Sequence, residues 1–525
     1  MNKKVLTMAV MAAVCGMAAA PVWAANSGGT VNGDGKFVGD NGAADNRLLI
    51  DEDSRQEIIS GLGTGNDKVQ NNSIEVSDGT ISRNIIGGMS EGDGDIDSNS
   101  VTISGGKMSE AVYGAYTEGS GAVTNNKVII SDGMAEMSRE PVAGALSRGS
   151  GTVAYNSVKA TGGNFYAIFG GGSAEGIAEY NSVTVEGATV IEGRVAGGLA
   201  TEGVARHNSV TISGTAEIKE GVFGGTVDRG GDPADLIDNS VMISGGKIGD
   251  VVFGAYTEGS GIVAYNSVTL TDGLINGEVY GGASTKNGIA EYNSVTVSGG
   301  TINMLATGGV SIDNVARYNN VTVTGGTIKG SIYGGMSEIN AIENKVMISG
   351  GNIGGDVFGA ESKAESSATG NEVIISGTPT FESAYGTNIY GASTFDGEIT
   401  GNKVTISGRP VFNFNDPDKN IKIYGGYVDR DGNVTGNSVE INGDMNFTES
   451  LEIYGGYGGT GAVTGNSVTI SGRPIFAADS VIYGGYSASG GEVSGNILNN
   501  CNRIADILRR FICAVCLLSH NTYCI

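Results

Sequence analysis

The sequence predicts an all-β fold, wound as an elongated parallel β-solenoid (a β-helix) of about 16 coils with repeats of about 27 residues. Three observations predict it. The line "VYGAYTEGSGAVTNNKVIISDG", from Val112, returns nearly unchanged as "VFGAYTEGSGIVAYNSVTLTDG" from Val252, 140 residues later. A phrase of the form Asn-x-Val-x-Ile-Ser-Gly recurs through almost the whole chain at intervals of 25 to 35 residues, so the two opening lines lie five units apart. Each unit carries short apolar runs separated by Gly, Asn, Asp and Ser, the pattern of short strands and bends. A propeller blade takes about 40–45 residues and four strands, which this period does not supply.

The leading Asn falls at Asn46, Asn72, Asn99, Asn126, Asn156, Asn181, Asn208, Asn239, Asn266, Asn293, Asn319, Asn344, Asn371, Asn402, Asn437 and Asn466, with a broken copy at Asn496. In "NSVTIS" the apolar residues alternate with hydroxyl residues, as in a half-buried strand. Val, Ile and Thr lose rotamer freedom in a helix, and 90 Gly in 525 residues would weaken any helix interior. Stacking such units in parallel pairs every backbone N–H and C=O with the coil above or below and lines like side chains into ladders. The recurrent Asn is expected to accept a bent backbone and to form such a ladder.

A second phrase, Val/Ile-aromatic-Gly-Gly or Gly-Ala, places rings at Tyr113, Phe169, Phe223, Phe253, Tyr280, Tyr333, Phe358, Tyr390, Tyr424, Tyr454 and Tyr483. Weaker versions sit at Ile85-Ile86, Val142-Ala143, Val195-Ala196 and Leu305-Ala306. Because each ring follows Val or Ile and precedes Gly, core packing is the expected role; turned outward, the same rings would form a stripe for sugar or protein. A third apolar position lies three or four residues before the Asn, at Val123, Val153, Ile177, Val204, Ile289 and Val463. Three strands and three bends per coil follow.

Residues 1–24 form a secretory signal, with Lys3 and Lys4 at its positive end, an apolar run, and a small-residue cleavage site ending at Ala24. The sole Trp, Trp23, leaves with it, and Val14 before Cys15 fits a lipid-anchor site poorly. Residues 25–45 are an N-terminal cap or linker, residues 46–496 the repeat domain, and residues 497–525 a Cys-rich tail foreign to the repeat, expected to be a frameshifted or truncated end. Cys513-Ala-Val-Cys516 with His520 in that tail is one pair short of a zinc site. The repeats hold no Cys, so an exported rod would rely on backbone ladders and packing.

The formal net charge of −25 disfavours nucleic acid and anionic membrane surfaces. No cofactor motif is present: the Gly-rich pieces lack the Gly-Lys-Ser/Thr ending of a phosphate loop. His207 is the one His of the repeats and fills the slot held by Tyr180 in "IAEYNSV", so no Ser/His/Asp or Cys/His set can be assembled there. Glu118, Asp132, Glu175, Glu202, Glu258, Asp272 and Glu291 are scattered through turns. A glycosidase would need two carboxylates facing across a cleft. Two loops space their oxygens as calcium loops do, Asp93, Asp95 and Asp97 in one and Asp429, Asp431 and Asn433 in the other. In the second, Val434 replaces the expected Gly and Glu440 lies in a strand.

A Sec-type signal followed by copies of "NSVTISGG" and "VYGGY"-like phrases resembles the passenger region of autotransporters, the type V secretion proteins of Gram-negative bacteria. "IYGGYGGTGAVTGNSVTISG" at residues 453–472 is typical of that style, and the resemblance covers residues 46–496. It implies a non-catalytic β-helical rod exported through the inner membrane and serving in adhesion, surface structure or biofilm contact, with surface glycans or proteins as partners. A β-helical polysaccharide lyase or glycosidase and a truncated product without function are the alternatives. Such passengers are followed by a membrane β-barrel, for which the residues after Asn496 are too few. The expectation is therefore periplasmic delivery, display at the cell surface where a translocator is supplied, and no membrane-spanning segment once the signal is removed.

Overall fold

A computed structural model describes residues 29–31, 36–40, 42–131, 140–229, 234–363, 366–383, 386–414 and 420–500. Residues 1–24, expected to be a signal, and residues 501–525, with Cys513, Cys516 and His520, lie outside the described residues, as does Asp132. The described residues form a parallel β-solenoid and contain no helix. No helix among them is long and apolar enough to cross a membrane.

One coil illustrates the build. From Asn293 the chain runs through Ser294–Val297, bends, and makes the short strand Thr301–Ile302. It then forms Ala306–Ser311, bends again, and makes Val315–Arg317 before the next ladder residue, Asn319. Stacked coils give three long sheets: one holding the Asn-led strand and the short strand after the Gly-Gly bend, one holding the glycine-rich strand, and one holding the strand before the Asn. Equivalent residues pair in register, Ser267 with Ser294 and Ser294 with Asn320. A coil thus has four strand segments where the apolar runs predict three. The extra one has a single buried apolar side chain, such as Met108, Ile302 or Phe381, too little to mark a strand in sequence.

Parallel stacking extends past both ends of residues 46–496. Phe37–Gly39, within the expected linker, pairs with the strand starting at Ile58 and is itself covered by the antiparallel strand Gly29–Val31. At the other end Ile497–Asn500 continues the Asn-led sheet against Ser467–Ser471.

The main core is aliphatic, built from the alternate residues of the Asn-led strand, the short strand and the first residue of the glycine-rich strand, as with Val295, Val297, Ile302 and Ala306. Towards the C-terminal end it includes its own aromatic stack: Phe381, Phe412, Phe447 and Phe476 follow one another at centroid distances of 4.9, 5.9 and 5.6 Å. Separate, narrower clusters of Ala and Val fill the corner between the glycine-rich sheet and the sheet before the Asn. In that last sheet Val123, Val153 and Val463 point inward, three residues before their Asn. Ile177, Val204 and Ile289, four before, point outward and are half-exposed, because Ala178, Ala205 and Ala290 take the inward position.

The Asn ladder runs unbroken from Asn46 to Asn496. Each Oδ1 accepts two hydrogen bonds from the preceding Asn, one from its backbone N–H and one from its Nδ2, as between Asn266 and Asn293 at 3.0 and 2.9 Å. In most coils the Nδ2 also donates to a carbonyl of the preceding coil, for Asn266 that of Leu236 at 2.9 Å, whereas Asn126 uses Thr124 of its own coil. One side chain therefore satisfies three buried polar groups at the bend, where the regular backbone ladder is interrupted. The bent residue is the one before the Asn. Tyr180, His207 and Tyr265 adopt φ of 54, 55 and 60°, and in the later coils Gly370, Gly401, Gly436, Gly465 and Gly495 take over this left-handed position.

Candidate functional site: an outward aromatic face

The glycine-rich strand is where the inside–outside alternation breaks. In Val112–Thr117, Val112 is buried in the core, Tyr113 turns outward, Ala115 and Thr117 turn inward, and Tyr116 again turns outward. The register between neighbouring strands is kept on both sides of Gly114 but skips it. A Cβ on Gly114 would lie 2.3 Å from the carbonyl oxygen of Gly144 in the next coil. This glycine shifts the phase of the strand, so two outward side chains follow three residues apart.

The rings placed in the core by their Val-Tyr-Gly context therefore lie on the outer surface of the sheet, in a cluster separate from the aliphatic core. The register orders them as Tyr113, Ala143, Phe169, Ala196, Phe223, Phe253, Tyr280, Thr307 and Tyr333. Phe358, Tyr390, Tyr424, Tyr454 and Tyr483 follow. The weak copy near Leu305 aligns one residue later than its sequence suggests, with Ala306 facing the core and Thr307 in the ring position.

From Tyr333 to Tyr483 the ladder is continuous. Its centroids are spaced 4.7, 4.6, 5.0, 5.1 and 5.3 Å, with planes within 10° of parallel. Beside it runs a second rank that the sequence reading missed, Tyr116, Tyr256, Tyr427, Tyr457 and Tyr486. Tyr427, Tyr457 and Tyr486 stack on one another at 5.0 and 5.4 Å and meet the first rank edge to face, Tyr424 to Tyr457 at 84°. The signal was present as the aromatic in "VYGAY" and "IYGGY", three residues after the first ring.

Stacking covers the rings on a nominally open face: Tyr424 and Tyr454 are 5% and 7% exposed, while Tyr486 at the end is 37% exposed. Polar groups are threaded among them. Tyr427 donates to Asp429 at 3.0 Å, Tyr454 to Glu452 at 3.0 Å and Tyr116 to Glu118 at 3.1 Å. Glu361 occupies the second rank between Met336 and Ser393, and burial pushes its carboxyl above the usual range against the opposing pull of Lys363.

Burial also pushes the phenols of Tyr116 and Tyr256 up to about 12, and those of Tyr390 and Tyr454 higher still. A phenol whose pKa rises on folding stabilises the fold fully below its unfolded value of about 10, and that contribution is lost as pH climbs through the folded value. The melting temperature should hold up to about pH 10 and fall between about 10 and 12. Tyrosinate absorbance should appear together with loss of the β-sheet circular dichroism; ring ionisation completed near pH 10 in the folded rod would contradict this origin.

The calcium candidates do not converge. Asp93 and Asp95 accept from the backbone N–H groups of Ser120 and Ala122 in the next coil at 2.8 and 2.9 Å, and Asp97 accepts from Thr124 and Asn125. Asp431 accepts from the Thr460 hydroxyl, Asn433 accepts from the Ala462 N–H at 3.1 Å, and Asp429 takes the Tyr427 hydroxyl. Apart from that of Asp429, whose partner is in its own coil, these oxygens join adjacent coils. Among the described residues no group of three or more His, Cys, Asp or Glu side chains is gathered to hold a metal. Four of the other turn acids are also engaged: Glu291 pairs with Arg317 at 2.6 Å, Glu118 with Arg148 at 3.7 Å, Glu258 accepts from the Tyr256 hydroxyl, and Asp272 caps the N–H of Gly273.

Comparison with protein-family models, with curated proteins and with solved structures returns no match.

Proposed function

We propose that the chain is a non-catalytic adhesive rod, exported by its N-terminal signal and resembling an autotransporter passenger, which contacts surface glycans through the aromatic face of its glycine-rich sheet. One observation carries this reading: the rings stand in two ranks apart from the aliphatic core, the second rank the more exposed, with carboxylates bonded to hydroxyls in both. Rings of this kind offer apolar edges and faces to a sugar, and the carboxylates accept from sugar hydroxyls. A long ladder with one repeated surface suits many weak contacts made together, so that avidity supplies the strength. The periplasm is the first destination under this reading, and the cell surface follows where a translocator acts.

The test is a carbohydrate array probed with the purified chain, beside the paired variant Tyr427→Ala/Tyr457→Ala. The second-rank rings are the more exposed, so truncation should spare the fold and weaken retention about tenfold, the effect of two stacking contacts of about 0.7 kcal/mol each. Equal retention by the variant, or no retention of the parent on any glycan, would remove the proposal. Release of shortened sugars would instead favour the carbohydrate-active enzyme.

A further inference from the structure

A second aromatic column stands apart from that face, at the left-handed bend before the Asn ladder. Tyr155, Tyr180 and His207 stack at 4.8 and 4.6 Å, and Tyr265, Tyr292 and Tyr318 stack at 5.0 and 4.9 Å, all with planes within 12° of parallel. Between the two groups the same position is filled by Asp238. Its backbone is the same as its neighbours', with φ of 57° and its N–H on the carbonyl of Ala264 at 3.0 Å, so the coil pitch is unbroken. The His207 and Tyr265 rings are therefore two strand spacings apart, about 9.6 Å. A flat group inserted midway would stack on both at the pitch the column already uses.

The floor of this slot is anionic and open. The Asp238 side chain is 65% exposed, and one of its oxygens lies 3.0 Å from His207 Nδ1. The adjacent cation, Arg206, is turned away onto Glu179 of the preceding coil at 2.7 Å. The residues before Asp238 and Tyr265 are the uncharged Ile237 and Ala264. A guanidinium meets all these conditions together: it is planar, it stacks on aromatic faces, and its fork of N–H groups matches a carboxylate. An ammonium carries the charge and is drawn to ring faces but is neither planar nor forked, and a sugar can stack and donate hydroxyls but carries no charge to match the carboxylate.

The geometry points to the His207–Asp238–Tyr265 slot as a binding site for an arginine side chain of a partner protein. It is independent of the glycan-binding reading, because it lies on a different edge of the coil and uses none of the same residues.

The experiment is calorimetric titration of the full-length chain with a short peptide bearing one arginine between neutral residues, and with its lysine twin. The twin controls for the net charge of −25, which attracts any cation. The arginine peptide should saturate one site and bind at least about fivefold more tightly than the twin. Asp238→Asn should weaken it about tenfold. Asp238→Tyr, which completes the column with the residue its neighbours carry, should abolish the site while leaving the melting temperature unchanged or higher. Equal binding of the two peptides, absence of saturation, or undiminished binding by Asp238→Tyr or Asp238→Asn overturns the proposal.

Discussion

Replacing Asn266 by Leu should divide the rod into two weakly coupled halves. Asn239 donates to Asn266 Oδ1 through its backbone N–H at 2.8 Å and its Nδ2 at 3.0 Å, and Asn239 is fully buried. Leucine fills a similar volume but accepts neither bond. Two buried donors are orphaned at about 1–3 kcal/mol each, a total of about 2–6 kcal/mol. In a solenoid each coil contacts only its neighbours, so the loss falls where this coil meets them, chiefly at the interface with the Asn239 coil and also at the bond to Asn293, and is not shared along the rod. A lowered or split melting transition and new protease cleavage near that interface are the expected results. Unchanged melting and protease resistance would show that the Asn column does not hold adjacent coils together.

The second large effect should come from a single methyl group on Gly281. A Cβ there would lie 2.4 Å from the Gly308 carbonyl oxygen and 2.7 Å from the Ser294 nitrogen, both backbone atoms. Room can be made only by parting the coils, at about 3 kcal/mol or more. Its neighbour Gly282 offers the control. A Cβ on Gly282 would approach Asn293 Oδ1 at 2.5 Å, yet Ala255 occupies the same register position one coil away and is accommodated there. Gly281→Ala should shift the urea midpoint strongly downward and Gly282→Ala by the equivalent of less than about 1 kcal/mol. Similar shifts in the two variants would deny the distinction between backbone and side-chain crowding.

The period, the Asn column and the inward Val and Ile of "NSVTIS" are legible in the sequence because each depends on strict local repetition. The direction of the aromatic rings is not. Val-Tyr-Gly-Gly invites a period-two reading, and the glycine against the next coil's backbone upsets it, which is visible only once coils are stacked. The bend before the Asn left a faint signal: Asp45, Asn71, Ser98 and Asn125 early, then Gly370, Gly401, Gly436, Gly465 and Gly495, are residues that tolerate or favour a left-handed backbone. The tyrosines at the same position concealed it. The calcium-like spacings are ambiguous in sequence for a related reason, since alternate oxygens in one loop also suit the N–H groups of the loop stacked above.

By itself the sequence determined that this chain is a stack of like units, because a repeated pattern of half-buried strands can bury its apolar edge only against copies of itself. Only the tertiary structure decided which side of its sheet each ring takes, with Tyr424 and Tyr457 on the outer side, away from the aliphatic core, and Phe381 within that core. The reason is that the phase of each strand is reset by backbone-to-backbone contact between coils, a distance measured across the stack and not along the chain.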